Sequence, residues 1–131
     1  MSESVLSGAE LKTQIRKVAF ANRKNQENKE EISRSIMATF MEQPEYQSAS
    51  TVMFYVDVRA EVRTRYDLPA ALTSRKKIVV PWCNEEGELE LFHLESMDEL
   101  EIGMYKILEP KQDLRQLPHK QVSVQELDVI M

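Results

Sequence analysis

Residues 50–82 carry the pattern from which the fold class is predicted: STVMFYVDVRAEVRTRYDLPAALTSRKKIVVPW. Residues 50–58 contain a continuous run of apolar, β-prone side chains, which is typical of a strand buried on both faces. Residues 77–82 repeat that pattern, and residues 64–74 between them predict a helix capped by Thr64. A strand, a helix and a second strand at this spacing predict two parallel strands joined by a right-handed crossover.

Two further helices are predicted on the N-terminal side of this unit. Ser7 and Glu10 have the spacing of a capping box, and apolar residues then recur at helical spacing over residues 8–23. A second amphipathic helix is predicted to begin after Asn28, which would cap it, and to end before Pro44.

The residues on the C-terminal side predict one hairpin and one more strand. Residues 84–87 have turn composition, and residues 88–94 alternate polar and apolar side chains, as in a half-exposed antiparallel strand. Residues 102–110 predict an apolar loop, and residues 126–131 predict a third buried strand. The fold class is therefore α/β. We predict one three-layer domain over residues 1–131, with a parallel or mixed sheet flanked by helices, plus an antiparallel hairpin strand.

Charge and composition narrow the functional classes. The chain has 131 residues, with 17 basic against 22 acidic side chains and a net charge of −5. A nucleic-acid partner is not expected, since such proteins carry an overall basic face. No apolar run approaches the roughly 20 residues that span a bilayer, and no signal peptide is visible. We therefore expect a cytoplasmic protein without a membrane partner.

Cysteine and glycine are both scarce. The single cysteine, Cys83, cannot form an internal disulfide, and a zinc site built from several cysteines is impossible. The chain contains 3 glycines, and neither of the two common glycine-rich phosphate loops occurs.

Lys12 and Arg16 are the first candidates for a binding role. They are four residues apart and therefore share one face of the first predicted helix, where two cations can bind a phosphate chain or a carboxylate. Leu11, Ile15 and Val18 are expected to hold the opposite face against the core. The alternative is an ordinary solvated basic helix face.

Glu61 and Tyr105 are candidates for contacts to a flat heterocycle. Glu61 follows the first strand, and ligands of open α/β sheets bind beyond the carboxyl ends of parallel strands. Its carboxylate could accept hydrogen bonds from amino and amide groups, or it could be a surface residue. Tyr105 could stack on a flat ligand, or its apolar loop could simply be fixed on the core. His93 and His119 have no second ligand beside them, so no metal site is predicted.

These motifs occur in a recognisable order along almost all of the chain, from about Ala9 to Met131. They are Lys12 with Ile15-Arg16, Glu45-Tyr46-Gln47, Phe54-Tyr55-Val56, Glu61-Val62-Arg63-Thr64, Ile78-Val79-Val80-Pro81, Tyr105-Lys106-Ile107-Leu108-Glu109-Pro110 and Leu127-Asp128-Val129-Ile130. In this order and spacing the sequence resembles the 5-formyltetrahydrofolate cyclo-ligase family, also called methenyltetrahydrofolate synthetases.

The resemblance implies a ligase that depends on ATP and Mg²⁺ and converts 5-formyltetrahydrofolate to 5,10-methenyltetrahydrofolate, with release of ADP and phosphate. In that reaction ATP phosphorylates the formyl oxygen, and N10 then closes the ring. By the same resemblance, Lys12 and Arg16 would contact the nucleotide phosphates, Val56 and Glu61 would contact the folate, and Tyr105 would lie against the pterin or formyl group.

The sequence also departs from the family pattern. Family members continue with a glycine-rich basic segment ending in Gly-Tyr-Tyr-Asp, which wraps the ATP phosphates, and with Mg²⁺ ligands, neither of which this sequence contains. Family members often have a further basic residue after the position of Arg16, and this sequence has Asn22 there. We therefore expect the N-terminal two thirds of a cyclo-ligase, inactive alone. The alternatives are a non-catalytic folate- or nucleotide-binding α/β module and an interaction protein without a ligand. Oligomeric state is left open.

Overall fold

The computed structural model describes residues 5–103 and 107–131. In chain order its helices are α1 (Gly8–Asn25), α2 (Lys29–Glu42), α3 (Pro44–Ser48), α4 (Leu68–Thr73) and α5 (Gln112–Arg115). Its strands are β1 (Thr51–Met53), β2 (Lys77–Cys83), β3 (Leu89–Leu94), β4 (Leu100–Ile102), β5 (Leu108–Pro110), β6 (Gln121–Val122) and β7 (Val129–Ile130). Within the described ranges, no helix is both long and apolar enough to cross a membrane.

Five strands form one mixed sheet in the order β6-β3-β2-β1-β7. β1 pairs in parallel with β2 and with β7, so that Val52 lies opposite Ile78 on one side and Val129 on the other. β2 and β3 form an antiparallel hairpin, and β6 extends it. The predicted parallel pairing of the strands within residues 50–58 and 77–82 is therefore confirmed, over residues 51–53 and 77–79.

The main core lies on one face of this sheet. Met37 of α2, Tyr46 of α3 and Leu68 of α4 are buried there against apolar side chains of the sheet. These sheet residues include Val52, Phe54, Ile78, Val80 and Leu94. A smaller cluster of Val79, Leu91 and Val122 lies apart from it. Successive residues of β2 belong to different clusters, which explains its continuous apolar sequence. The predicted α/β class, a mixed sheet flanked by helices with an antiparallel hairpin, is confirmed.

β1 is much shorter than the strand predicted over residues 50–58. It has 3 residues, although the Phe54 N–H still donates to the Val79 carbonyl at 2.9 Å. The chain then leaves the sheet, because Asp57 is buried among polar partners and cannot continue an apolar strand. The helix predicted from Thr64 was also placed too early: α4 begins at Leu68, with Pro69 in its first turn. The Thr64 hydroxyl instead donates to the Tyr55 carbonyl at 2.8 Å.

The C-terminal third also differs from the prediction. Part of the predicted loop over residues 102–110 is a strand, because β5 pairs antiparallel with β4 in a separate two-stranded sheet. The predicted buried strand over residues 126–131 is the 2-residue β7, whose Ile130 is 58% exposed. It lies at the edge of the sheet as described, so its outer side is uncovered.

α1 has the predicted start but not the predicted packing. The Ser7 side chain accepts a hydrogen bond from the Glu10 N–H at 3.2 Å, as an N-cap does. No residue of α1 is buried, however, and Leu11, Ile15 and Val18 are 47%, 66% and 60% exposed. The expectation that these three hold α1 on the core was wrong, because no described element covers that face.

α2 begins after Asn28 as predicted, but not through a side-chain cap. Asn28 has a left-handed backbone with φ of 58°, and its side chain makes no capping hydrogen bond. Pro44 ends α2 and at once opens α3, where its missing N–H leaves no helical hydrogen bond unmade.

Candidate functional site

The segment after β1 forms a polar loop at the carboxyl end of the parallel strands. Its centre is Asp57, whose side chain is fully buried. Nε of Arg65 donates to the two carboxylate oxygens at 3.2 and 3.0 Å, and the Arg65 backbone N–H donates to Oδ1 at 2.9 Å. Nη1 of Arg63 donates to Oδ2 at 3.4 Å. The loop is therefore built around one buried carboxylate with two guanidinium partners.

The charges of this network determine its protonation. Burial would raise the pKa of Asp57, but the hydrogen bonds from Arg65 and the positive charges of Arg65 and Arg63 hold that pKa below its ordinary value. The pKa of Tyr55 is raised, first by burial and then by the negative charges of Glu61 and Asp57. Asp57 is therefore an anion and Tyr55 a neutral phenol around neutral pH.

Glu61 is positioned by the turn in which it lies. Its Oε1 accepts a hydrogen bond from the Val58 N–H at 3.0 Å, and its own N–H donates to the Val58 carbonyl at 3.1 Å. Arg59, inside this turn, has a left-handed backbone with φ of 52°. The Tyr55 hydroxyl donates to the Val62 carbonyl at 2.8 Å. These bonds fix the carboxylate relative to β1.

Glu61 lines a cavity of about 250 Å³. One wall is the C-terminal end of α1, which contributes Arg23, and another is the apolar side of α2 with Ile32 and Ile36. A fixed carboxylate, a guanidinium and apolar walls suit a heterocycle that carries amino and amide groups. Glu61 therefore lies in the wall of this cavity, and its contact with a ligand stays a prediction.

Lys12 and Arg16 lie on the same helix as Arg23. At 3.6 residues per turn, all three side chains start from one side of α1, which includes the half-buried Ala19. Arg16 precedes Arg23 by about two turns, or roughly 10 Å. Neither Lys12 nor Arg16 forms an ion pair with a described residue. A row of cations along one helix side fits a polyphosphate such as that of ATP.

The remaining predicted residues are less informative. Val56 is half-buried, and its side chain packs against the main core. Val56 and Glu61 belong to one loop, but only Glu61 lines the cavity described above. Tyr105 lies outside the described residues. Across residues 5–103 and 107–131, no group of three or more metal-ligating side chains occurs, so no residue of these ranges is assigned to Mg²⁺.

Sequence reasoning missed Asp57, its two arginines and Arg23. Asp57 had a usable signal, since a carboxylate between Val56 and Val58 directly after a buried strand is rarely left unpaired. Arg23 was overlooked because the expected basic position was Asn22, one residue earlier. Asn22 and Arg23 both line the cavity, and Arg23 and Lys29 contribute positive charge there.

Two motifs of the sequence have structural explanations. Oδ2 of Asp128 accepts hydrogen bonds from the Ser50 and Thr51 N–H groups, both at 2.9 Å, and so joins β7 to the start of β1. These bonds lower the pKa of Asp128. At Gly103, an added Cβ would overlap the Glu109 carboxylate, which is the flexible end of that side chain and would have to turn aside.

The comparisons with known proteins agree with this architecture. The family model of the 5-formyltetrahydrofolate cyclo-ligase family matches residues 8–131. No curated protein matches the chain in sequence. The NMR structure of Aquifex aeolicus 5,10-methenyltetrahydrofolate synthetase is similar, with a TM-score of 0.75 and 24% sequence identity. The similarity covers 92% of this chain and 59% of that chain.

The two comparisons support different statements. At 24% identity the structural likeness shows the fold alone, and the chain spans 59% of the length of that relative. The family match is independent of that likeness and extends over residues 8–131. On this match, the chain belongs to the 5-formyltetrahydrofolate cyclo-ligase family.

Proposed function

We propose that this chain supplies folate-binding and nucleotide-binding groups for the ATP-dependent cyclisation of 5-formyltetrahydrofolate to 5,10-methenyltetrahydrofolate. Family membership supports the reaction class. The observation that carries the proposal is the fixed carboxylate of Glu61 in a cavity closed on one side by α1, the helix that bears Lys12 and Arg16.

Each predicted residue has a role in this proposal. Glu61 accepts hydrogen bonds from the amino and amide N–H groups of the pterin, and Val56 contacts the folate beside it. Lys12 and Arg16 bind the phosphates of ATP. When bound, ATP with Mg²⁺ would supply the phosphoryl group that activates the formyl oxygen for attack by N10. Tyr105 keeps its predicted role beside the pterin or formyl group.

The cellular setting belongs to the same proposal. A cytoplasmic location is supported by the single thiol of Cys83, which is exposed and unpaired among the described residues. The proposed partner is a small-molecule folate rather than a nucleic acid or a membrane, which the net charge of −5 supports.

Binding of 5-formyltetrahydrofolate to the 131-residue chain tests the role of Glu61. We expect Glu61→Gln to weaken binding roughly ten- to hundredfold, because a hydrogen bond to a charged group contributes about 1.5–3 kcal/mol. Glutamine keeps an oxygen that can accept from the Val58 N–H, so the turn is preserved. Isothermal titration calorimetry measures the affinities, with exposed Glu86→Gln as the control. Equal affinities for Glu61→Gln and Glu86→Gln would exclude Glu61 from the folate site.

ATP binding to the same chain tests the basic side of α1. We expect Arg16→Ala to weaken ATP binding by roughly tenfold or more, and Arg16→Lys to recover part of the loss, because lysine lacks the planar fork of the guanidinium. Lys17→Ala is the matched control, since Lys17 lies on a different side of the same helix. An equal effect of Arg16→Ala and Lys17→Ala would mean that ATP responds only to the net charge of α1.

A further inference from the structure

Ser33 is a buried polar residue in the wall of the Glu61 cavity. It belongs to α2 and is 3% exposed. Met37, one turn later, is buried on the same side of the helix, where the packing would favour an apolar residue. Ser33 also lines the cavity, beside Ile32 and Ile36. None of the roles in the proposed function uses this hydroxyl.

The Ser33 hydroxyl uses only part of its hydrogen-bonding capacity. Its Oγ accepts a hydrogen bond from the Arg63 N–H at 3.0 Å. A hydroxyl can donate one bond as well. The helical Thr13 and Thr39 donate to the carbonyl four residues earlier, at 3.0 and 2.9 Å. Ser33 makes no such bond, and its O–H has no acceptor within residues 5–103 and 107–131. A buried donor in the cavity wall therefore lacks a partner.

The bond to Arg63 also places Ser33 close to Glu61. Arg63 follows Glu61 by two residues, and two residues span at most about 7 Å of backbone. The Glu61 carboxylate is itself held by the Val58 N–H. A carboxylate that accepts hydrogen bonds and a hydroxyl that can donate one therefore line the same cavity, fixed to one short segment of the loop.

The edge of a pterin calls for both groups. It presents two donors followed by an acceptor, namely the 2-amino group, N3–H and the carbonyl oxygen O4. A carboxylate such as that of Glu61 has two oxygens and accepts from the two donors, but it cannot bind O4. That oxygen needs an N–H or O–H group beside the carboxylate, and Ser33 carries one.

The other donors around the cavity have partners or contact water. Nε2 of Gln26 and Nζ of Lys29 each donate to a backbone carbonyl, at 3.2 and 2.9 Å. Asn22 and Arg23 are exposed, so that water can accept from their N–H groups. Ser33 is shielded from solvent, and a ligand atom that accepts from its O–H would relieve the cost of an unmatched buried donor.

We propose that Ser33 is a specificity-determining residue, whose hydroxyl donates to O4 of the pterin while Glu61 accepts from the 2-amino group and N3–H. This assignment rests on the proposed function, which places the pterin at Glu61. It makes the cavity selective for a carbonyl at position 4. An amino group at that position presents N–H groups to the hydroxyl and leaves the Ser33 O–H without an acceptor.

Two small fluorescent ligands test this selectivity. Pterin has the carbonyl at position 4, and 2,4-diaminopteridine has an amino group there. Both are titrated into the 131-residue chain at one pH, with ligand fluorescence and calorimetry as readouts. We expect Ser33→Ala to weaken binding of pterin roughly three- to tenfold more than binding of 2,4-diaminopteridine. Ser33→Cys, whose thiol fills the same site but donates weakly, should shift the ratio of the two affinities in the same direction.

Two further variants serve as controls. Ser33→Thr keeps a hydroxyl and should retain most of the wild-type ratio. Ser35→Ala is the matched control, because Ser35 is an exposed residue of the same helix and does not line the cavity. It should leave both affinities unchanged.

The ratio separates ligand recognition from a structural role of Ser33. Ser33→Ala also removes the acceptor of the Arg63 N–H, and if that loss alone matters, both ligands lose affinity by the same factor. An unchanged ratio, or no binding of pterin to wild type, overturns the proposal. Glu61-dependent binding of 5-formyltetrahydrofolate would then still support the proposed function. Loss of that binding as well would overturn both.

Discussion

Asp57 organises the loop between β1 and α4 through charge. Arg63 and Arg65, its partners, are 21% and 41% exposed, whereas the Asp57 side chain is 0% exposed. The Thr64 hydroxyl accepts a hydrogen bond from the Asp57 N–H at 3.1 Å, which fixes the backbone at the same point. The position of Glu61, four residues further on, therefore depends on a carboxylate that is already fully engaged by its own arginines.

Replacement of Asp57 by asparagine should destabilise the fold. Removing one member of a fully buried ion pair typically lowers the free energy of unfolding by about 3–5 kcal/mol, and we expect about 2 kcal/mol here because both arginines keep contact with water. Urea unfolding of Asp57→Asn and of the exposed Glu86→Gln measures the difference. A loss no greater than that of Glu86→Gln would show that the network does not stabilise the loop.

The same residue predicts a pH dependence. The pKa of Asp57 is lowered in the folded chain from its ordinary value of 3.8. The ionised carboxylate therefore stabilises the fold fully above that value, and this stabilisation is lost as the pH falls through the lower folded pKa. The difference in unfolding free energy between wild type and Asp57→Asn should shrink on acidification. The pKa of Asp128 is also lowered, but Asp128 is present in both proteins, so its contribution to the difference in unfolding free energy cancels. A difference that widens at low pH would contradict the assignment.

Some residues could be proposed from the surrounding sequence and others could not. Glu61 could be proposed because it follows a strand end, where ligands of α/β sheets bind. Ser33 and Arg63 are 30 residues apart in sequence and meet only through tertiary structure. Such a contact has no local pattern, so no reading of spacing within one helix or strand could predict it.

At the level of elements, α1 is the clearest departure from expectation. Leu11, Ile15 and Val18 predicted a packed face, yet all are substantially exposed. We expect Leu11→Ala and Ile15→Ala to change the free energy of unfolding by no more than about 0.5 kcal/mol each. Met37→Ala in α2 should lower it by about 2–5 kcal/mol, because Met37 is fully buried. Chemical denaturation measures all three, and a comparable loss for the α1 variants would show that α1 is packed in solution.

The apolar periodicity of the sequence predicted those elements in which the burial of each residue matches its polarity. β2 has its apolar residues on two faces and was predicted correctly, as was the alternating β3. β1 is shorter than predicted. β-Propensity reflects residue type alone, and it does not show that Asp57 lies outside the sheet, paired with Arg63 and Arg65. β4 and β5 have 3 residues each, too few for a periodic signal.

For the whole molecule, the proposed roles predict binding without turnover. We expect the 131-residue chain to bind 5-formyltetrahydrofolate but to form no 5,10-methenyltetrahydrofolate from it with ATP and Mg²⁺. Phosphoryl transfer needs many donors around the phosphates, and the basic side of α1 supplies only a few side-chain cations. The absorbance of the methenyl product measures turnover, and folate binding in the same sample shows that the protein is folded. ATP-dependent product formation would contradict this division of roles.

The pairing of β1 with β7 has a consequence for synthesis of the chain. Thr51 and Asp128 are 77 residues apart, so a ribosome that adds about 5–20 residues per second needs roughly 4–15 seconds to extend from one to the other. β2 follows β1 much sooner, and half of the sheet can form while translation continues. During that interval the other side of β1 presents unpaired backbone groups, which are able to bind a strand of another nascent chain. A cotranslational chaperone that binds extended apolar segments would find its target at this edge, until Asp128 emerges and closes it.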